Sequence, residues 1–138
     1  MTGVQTCALP ILLYLDKKDF SRSLLYYDSV LQQQTNINNR FGLAECELGK
    51  GMVMSRSGNF EAAQTFYVKS LATAKELNAH NLALNCYQEL ATLHELKREF
   101  EKSLHYLKQY DALRDSIFSE ATMEKLFQYQ VQIGRAHV

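Results

Sequence analysis

The sequence has few of the residues that interrupt helices. Among its 138 residues there is one proline and no tryptophan, and glycine occurs only 6 times. Fifteen Lys and Arg residues balance 15 Asp and Glu residues, so no basic excess favours nucleic acid or an anionic membrane surface as a partner. No apolar run reaches the about 18 residues of a transmembrane helix, and no signal peptide pattern is present.

Cysteine chemistry is also poorly supported. The three cysteines, Cys7, Cys46 and Cys86, form no CxxC pair, and an odd number makes a poor disulfide framework. Cys46 and Cys86 lie 40 residues apart, which predicts small packing residues at equivalent places in two repeats. The redox compartment is left open.

Catalytic and metal motifs are missing as well. His94 and Glu95 begin like the zinc motif HExxH, but Arg98 occupies the position of the second histidine. The acid pair Glu45 and Glu47 is expected to be solvated. With no glycine-rich phosphate loop, the sequence predicts no catalytic residue, no metal ligand and no cofactor, and therefore no enzyme.

What the sequence does contain is a helical hairpin between residues 44 and 71. Gly51 and Ala63 are small enough to let two helix backbones approach closely. Gly58 accepts the left-handed conformation that ends a helix, and Asn59 can cap the next one. One hairpin cannot bury both of its faces, so this hairpin requires neighbours of the same kind.

The neighbours are visible as a 40-residue period. Phe20, Phe60 and Phe100 each stand just inside the start of a predicted second helix. Predicted helices cover residues 12–15, 20–33, 40–56, 60–77, about 82–97, 100–118 and a segment that Ser119 caps. The residues predicted to face inward in the last four complete helices are Leu43, Ala44, Leu48, Gly51, Ala63, Phe66, Tyr67, Ser70, Leu71, Ala74, Leu84, Tyr87, Leu90, Ala91, Leu93, Leu104, Leu107, Tyr110 and Leu113.

Aligned on this period, the copies resemble the tetratricopeptide repeat (TPR) in its longer form. The matching small residues are Gly51 and Ala91 in the first helices and Ser23, Ala63 and Ser103 in the second, and the matching large residues are Tyr27, Tyr67 and Leu107. The resemblance covers about residues 12–118 and departs at Tyr110 and at the turn 97–99, which lacks glycine. It implies an all-α, right-handed superhelical array of antiparallel helical hairpins, an α-solenoid.

The two ends share no period with the rest. Residues 133–138, IGRAHV, read as a translated sequencing-library adapter, and residues 1–11 read as the same adapter in the opposite sense. We interpret both as artefacts; a genuine N-terminal strand and a short tail are the alternative. The expected divisions are artefact at 1–11, repeats at 12–118 with hairpins at about 12–34, 40–78 and 80–118, a capping or linker helix at 119–132, and artefact at 133–138. We expect the remainder to be an internal fragment of a longer protein.

Residues 113–119, LRDSIFS, carry a second resemblance. They are similar to the segment that closes the repeat array in bacterial sensor proteins, where a helix leads to the membrane and then to a histidine kinase or a helix-turn-helix domain. This resemblance implies signal transduction, within a two-component system, and repeats outside the cytoplasmic membrane. A generic capping helix and a cytoplasmic location are the alternatives.

The resemblance to TPR domains implies a protein or peptide partner in the groove lined by the first helices. The expected groove residues are Glu45, Leu48, Met52, Ser55, Arg56, Asn85, Gln88, Thr92, Glu95 and Leu96. Leu48 and Met52 stand where chaperone-binding members place their carboxylate clamp, so no chaperone tail is expected to bind. We expect no nucleic acid partner and no membrane insertion, and the oligomeric state is open. Alternatives are the docking arm of an enzyme and a structural oligomerisation module.

Overall fold

The structure, a computed structural model, describes residues 22, 24–26, 28, 29, 32 and 39–136. Four helices lie in the continuous part: α1 Arg40–Arg56, α2 Phe60–Glu76, α3 His80–Leu96 and α4 Phe100–Ala136. Residues 39–136 contain no strand, and consecutive helices pack against each other. The all-α array of helical repeats is therefore confirmed. The helices predicted at 12–15 and for most of 20–33 lie outside the described residues.

Each helix begins twenty residues after the previous one. The first three contain 17 residues each, and three residues form every turn between helices. Gly58, Asn78 and Arg98 occupy the middle of these turns with φ of +91°, +53° and +60°. A two-helix unit therefore repeats every 40 residues, as the spacing of the phenylalanines predicted.

The three turns share one hydrogen-bonding pattern. In the first, the amide of Asn59 donates to the carbonyl of Met54 at 2.8 Å, and the amide of Gly58 donates to Ser55 at 3.1 Å. The same pair of bonds recurs twenty and forty residues later. This is the Schellman motif, which satisfies the last carbonyls of a helix and needs one left-handed residue. Glycine adopts that conformation freely, whereas asparagine and especially arginine do so at a cost.

Asparagine side chains cap the starts of α1 and α2. The Oδ1 of Asn39 accepts from the amide of Gly42 at 2.9 Å, and that of Asn59 accepts from Ala62 at 3.3 Å. The predicted cap at Asn59 is confirmed. Ala79 precedes α3 without any side-chain cap.

Within the first described hairpin, α1 and α2 touch where their residues are smallest. A Cβ atom built on Gly51 would lie 2.6 Å from the Tyr67 ring and 3.3 Å from the carbonyl oxygen of Ala63. In the second hairpin the equivalent residues are Ala91 and Ser103, and the Ser103 hydroxyl donates to the Ala91 carbonyl at 2.8 Å. Both hairpins therefore keep the close approach that the small residues predicted.

The core runs between α1, α2 and α3 and reaches the first part of α4. Most residues predicted to face inward are buried, and Leu43, Phe66, Leu84, Tyr110 and Leu113 are half-buried. The prediction that Leu104 and Leu107 face inward is wrong. Their side chains are 51% and 45% exposed, because no described helix covers that side of α4.

The end of the chain also differs from its prediction. A break was expected at Ser119, with a separate helix beyond it, but α4 continues without interruption for 37 residues. All residues from 118 to 135 are exposed. The segment therefore extends away from the repeats as a continuation of α4 and does not pack on the preceding hairpin.

Candidate interaction surface

The expected groove residues of α1 are partly covered. Leu48 is only 9% exposed and belongs to the core, and Met52 packs half-buried against it. Glu45 and Ser55 are half-buried, and Arg56 is exposed. Leu48 therefore supports the helix from inside, and the remaining four residues of this set still reach the surface.

The expected groove residues of α3 are all exposed. Asn85, Gln88, Thr92 and Glu95 follow each other at spacings of three and four residues and so form one stripe along the helix. Leu96 ends the stripe with a side chain that is 57% exposed. The stripe presents amide, hydroxyl and carboxylate groups beside one apolar side chain.

The two sets occupy equivalent positions, so their difference has a positional cause. Helix α1 contacts α3 along the array, and the Nζ of Lys50 also donates to Asp28 from the preceding segment at 3.0 Å. Helix α3 has no further first helix beside it in the described part of the chain. Coverage by neighbouring helices therefore hides much of the α1 stripe and leaves the α3 stripe open.

A polar junction lies where α1, α2 and α3 meet. The Tyr67 hydroxyl is buried between the helices without a hydrogen bond of good geometry, and burial raises its pKa, with a further increase from the Glu89 charge. Burial likewise raises the pKa of Glu89, while Arg56 opposes the shift. The sequence predicted Arg56 in the groove and Tyr67 in the core. It did not single out Glu89, although this residue directly follows the groove residue Gln88.

The prediction that the first acid pair is solvated is wrong. Glu47 is only 9% exposed, and one carboxylate oxygen of Glu45 is buried without a hydrogen bond. Burial raises the pKa of both carboxyl groups, and Lys69 partly offsets this for Glu47. Their spacing of two residues turns them toward different sides of α1, and Glu47 lies on the side near Lys69 of α2.

His94 is buried rather than poised for chemistry. Its ring stacks on Tyr106 with centroids 5.5 Å apart, and its Nδ1 lies 3.8 Å from the carboxylate of Glu99 without a hydrogen bond. Burial lowers the pKa of His94, although Glu99 acts in the opposite direction. Arg98, in the turn after the helix, carries a permanently protonated guanidinium, so it gives the incomplete zinc motif no second ligand. The described residues hold no cluster of three or more metal-ligating side chains.

The cysteines are buried at equivalent positions. Cys86 is free, its thiol contacts the Ser70 hydroxyl at 3.4 Å, and burial raises its pKa to about 11. A thiol with so high a pKa is a poor nucleophile at neutral pH. Cys46 is also buried, at the equivalent position of the preceding repeat.

A sequence model of the tetratricopeptide repeat family matches residues 42–115. The chain belongs to the tetratricopeptide repeat family. The match includes α1, α2, α3 and the part of α4 that packs on α3. TPR domains generally mediate protein–protein interaction and are typically noncatalytic. A search of curated proteins finds no match to this chain.

The described helices of this TPR chain include none that is both long enough and apolar enough to cross a bilayer.

Proposed function

We propose that this TPR segment is a noncatalytic scaffold that binds an extended or helical segment of a partner protein along α1 and α3. The observation that carries the proposal is the open stripe on α3, formed by Asn85, Gln88, Thr92 and Glu95. The opposite sides of this helix are buried, so its backbone is held in place while these side chains remain available. A rigid helix with a free stripe suits recognition of a peptide.

The chemistry of the stripe indicates the kind of partner. Amide and hydroxyl side chains exchange hydrogen bonds with a peptide backbone, and Leu96 with the surface of Met52 offers apolar contact. Two lysines or arginines that could hold a terminal carboxylate are absent from the stripe. The partner we propose therefore presents apolar side chains and free backbone groups, and chaperone C-terminal tails do not bind.

A direct test begins with peptides selected from a displayed library against the full chain. The variant that combines Gln88→Ala with Thr92→Glu removes one hydrogen-bonding group and adds a charge at two exposed positions. Thr65→Glu on α2 introduces the same charge at an exposed position away from the stripe and serves as the matched control. We expect the double variant to weaken binding at least about tenfold, while the control binds like the parent. Equal affinity of the double variant and the parent would refute the groove.

The biological context we propose is the sensory or interaction region of a bacterial signal-transduction protein. Its support is the resemblance of residues 113–119 to sensor proteins, together with the way α4 leaves the repeats as one long helix. The complete gene tests this context. A transmembrane helix followed by a kinase or DNA-binding domain supports it, whereas a hydrolase or transferase domain would favour the docking arm of an enzyme.

A further inference from the structure

The last hairpin ends on an uncovered apolar surface. Phe100, Leu104 and Leu107 of α4 form this terminal face, with exposed fractions of 64%, 51% and 45%. Their counterparts forty residues earlier are more deeply buried, since Phe60 and Gln64 are half-buried and Tyr67 is fully buried. Equivalent faces are therefore present on α2 and on α4, and only the face on α2 is covered by another described helix.

A first helix is what covers this face on α2. Ser70 of α2 contacts Cys86 of α3 at 3.4 Å, and Lys97 after α3 donates to Glu61 at the start of α2 at 3.1 Å. These contacts fix an antiparallel register in which the start of α2 lies beside the end of α3. The face on α4 thus fits a helix with the pattern of α3 running antiparallel to α4.

The chain carries that pattern once more, in residues 120–132. The apolar residues there follow the register of α3. Those at the positions of the buried Ala83, Cys86, Tyr87 and Ala91 are Met123, Leu126, Phe127 and Val131, and those at the positions of the exposed Asn85, Gln88 and Thr92 are Lys125, Gln128 and Gln132. The segment therefore repeats four of the buried positions of a first helix, while the positions of the buried Leu82 and Leu90 hold the polar residues Thr122 and Gln130. All of the segment is exposed in the structure.

Its own hairpin does not receive this segment, because α4 runs straight through the position of the next turn. The turn residues at twenty-residue intervals are Gly58, Asn78 and Arg98, each with positive φ, and the next in the series is Phe118. A bulky aromatic residue disfavours the left-handed conformation more strongly than any of these three. The helix therefore continues past Phe118, and the apolar residues of 120–132 do not reach the terminal face of the same chain.

We propose that residues 120–132 of one copy of this chain cover the terminal face of a second copy, and that the exchange is reciprocal. Two α4 helices then lie antiparallel about a two-fold axis near Phe118. This is a domain-swapped dimer, in which each copy completes the array of the other with a helix that a closed turn would have placed on itself. It is independent of the groove on α3.

Charge complementarity supports the same arrangement. In the register set by Ser70 and Cys86, the equivalent pair between two copies is Tyr110 and Leu126. Asp111 of one copy, which also pairs with Arg114 of its own helix at 3.1 Å, then lies level with Lys125 of the other at the edge of the contact. The contact therefore pairs opposite charges beside an apolar seam, and it does so twice because of the two-fold symmetry.

The first test is sedimentation equilibrium of the full chain over the micromolar range. We expect a monomer–dimer equilibrium, and we expect Leu107→Glu and Leu126→Glu each to weaken dimerisation at least about tenfold while helix content is kept. Gln128→Glu, at an outward position of the same segment, is the matched control and dimerises like the parent. A monomeric parent, or variants that dimerise normally, would overturn the proposal.

Two further variants test the contact and the hinge. Asp111→Lys should weaken the dimer, and adding Lys125→Asp should restore it, which a general loss of stability would not allow. Phe118→Gly permits the turn, so we expect the dimer to convert to a monomer in which the segment covers its own terminal face. A failure of the charge exchange to rescue, or an unchanged dimer for Phe118→Gly, would contradict the swap.

Discussion

The two described hairpins share the same turn geometry and the same small-residue contact, yet only one is covered on both sides. Helix α2 of the first lies between α1 and α3, whereas the terminal face of α4 meets no described helix. The large residue one turn past the small one is fully buried as Tyr67 and 45% exposed as Leu107. The environment of equivalent sequence positions therefore depends on whether a neighbouring helix covers them.

This difference shows how stability is distributed in a repeat protein. Each hairpin supplies its internal contacts, and the rest comes from the interface with the next repeat. A residue at a given repeat position should then contribute strongly when the next first helix is present and weakly when it is absent.

The largest contrast is expected between Tyr67→Ala and Leu107→Ala. Removing the buried Tyr67 ring should cost about 3–5 kcal/mol of unfolding free energy. Leu107→Ala should cost less than about 1 kcal/mol at a protein concentration low enough to keep the chain monomeric, because its side chain is half exposed. Urea unfolding followed by circular dichroism measures both, and equal losses would contradict the role of α3 as the cover.

The contact inside the first hairpin can be broken at Gly51. Gly51→Leu places a side chain against the Tyr67 ring and the Ala63 backbone, which should cost about 1–3 kcal/mol or more. Gly134→Leu is the control, since a Cβ there meets nothing within 4 Å. A thermal midpoint of Gly51→Leu that matches the parent would show that the repeat register is wrong.

Substitutions in the turns should have smaller effects on stability, and the effects in the two hairpins should have opposite signs. Arg98→Gly should stabilise the second hairpin by about 1 kcal/mol, because glycine removes the cost of positive φ at the centre of its turn. Gly58→Ala should destabilise the first hairpin by a similar amount, since its φ of +91° strains any side chain. Thermal unfolding of the two variants should shift in opposite directions, and parallel shifts would argue against equivalent turns.

His94 gives the second hairpin a pH dependence. Its folded pKa lies below the ordinary value of about 6.5, so the unfolded chain binds a proton that the folded chain resists. The contribution of neutral His94 to the free energy of unfolding is therefore fully present above about pH 6.5, and it declines as the pH falls from that value through the folded pKa. His94→Gln should flatten this part of the profile. An unchanged profile in His94→Gln would refute the assignment.

The sequence predicted the local features of the fold well. The bounds of α1, the cap at Asn59 and the close contact at Gly51 follow from turn chemistry and residue size, which act over a few residues. The exposure of Leu104 and Leu107, the burial of Glu47 and the continuity of α4 did not follow. Spacing shows which face of a helix is apolar, but it does not show whether a neighbour is present to cover that face.

The candidate site was predicted to a similar depth. The α3 stripe is exposed as the repeat register suggested, while Leu48 of the α1 set lies in the core. The repeat register assigns the α1 and α3 residues to equivalent positions and so predicts the same exposure for both sets. Their actual exposure differs because it depends on which helices lie beside each of them.

Amide hydrogen exchange of the full chain, measured at increasing protein concentration, tests most directly whether a neighbouring helix decides these environments. In the dilute monomer, we predict slow exchange between residues 63 and 74 of α2 and faster exchange at the equivalent residues 103–114 of α4. As the concentration rises, residues 103–114 and 120–132 should gain protection together while α2 does not change. Equal protection of α2 and α4 in the dilute monomer would contradict the account.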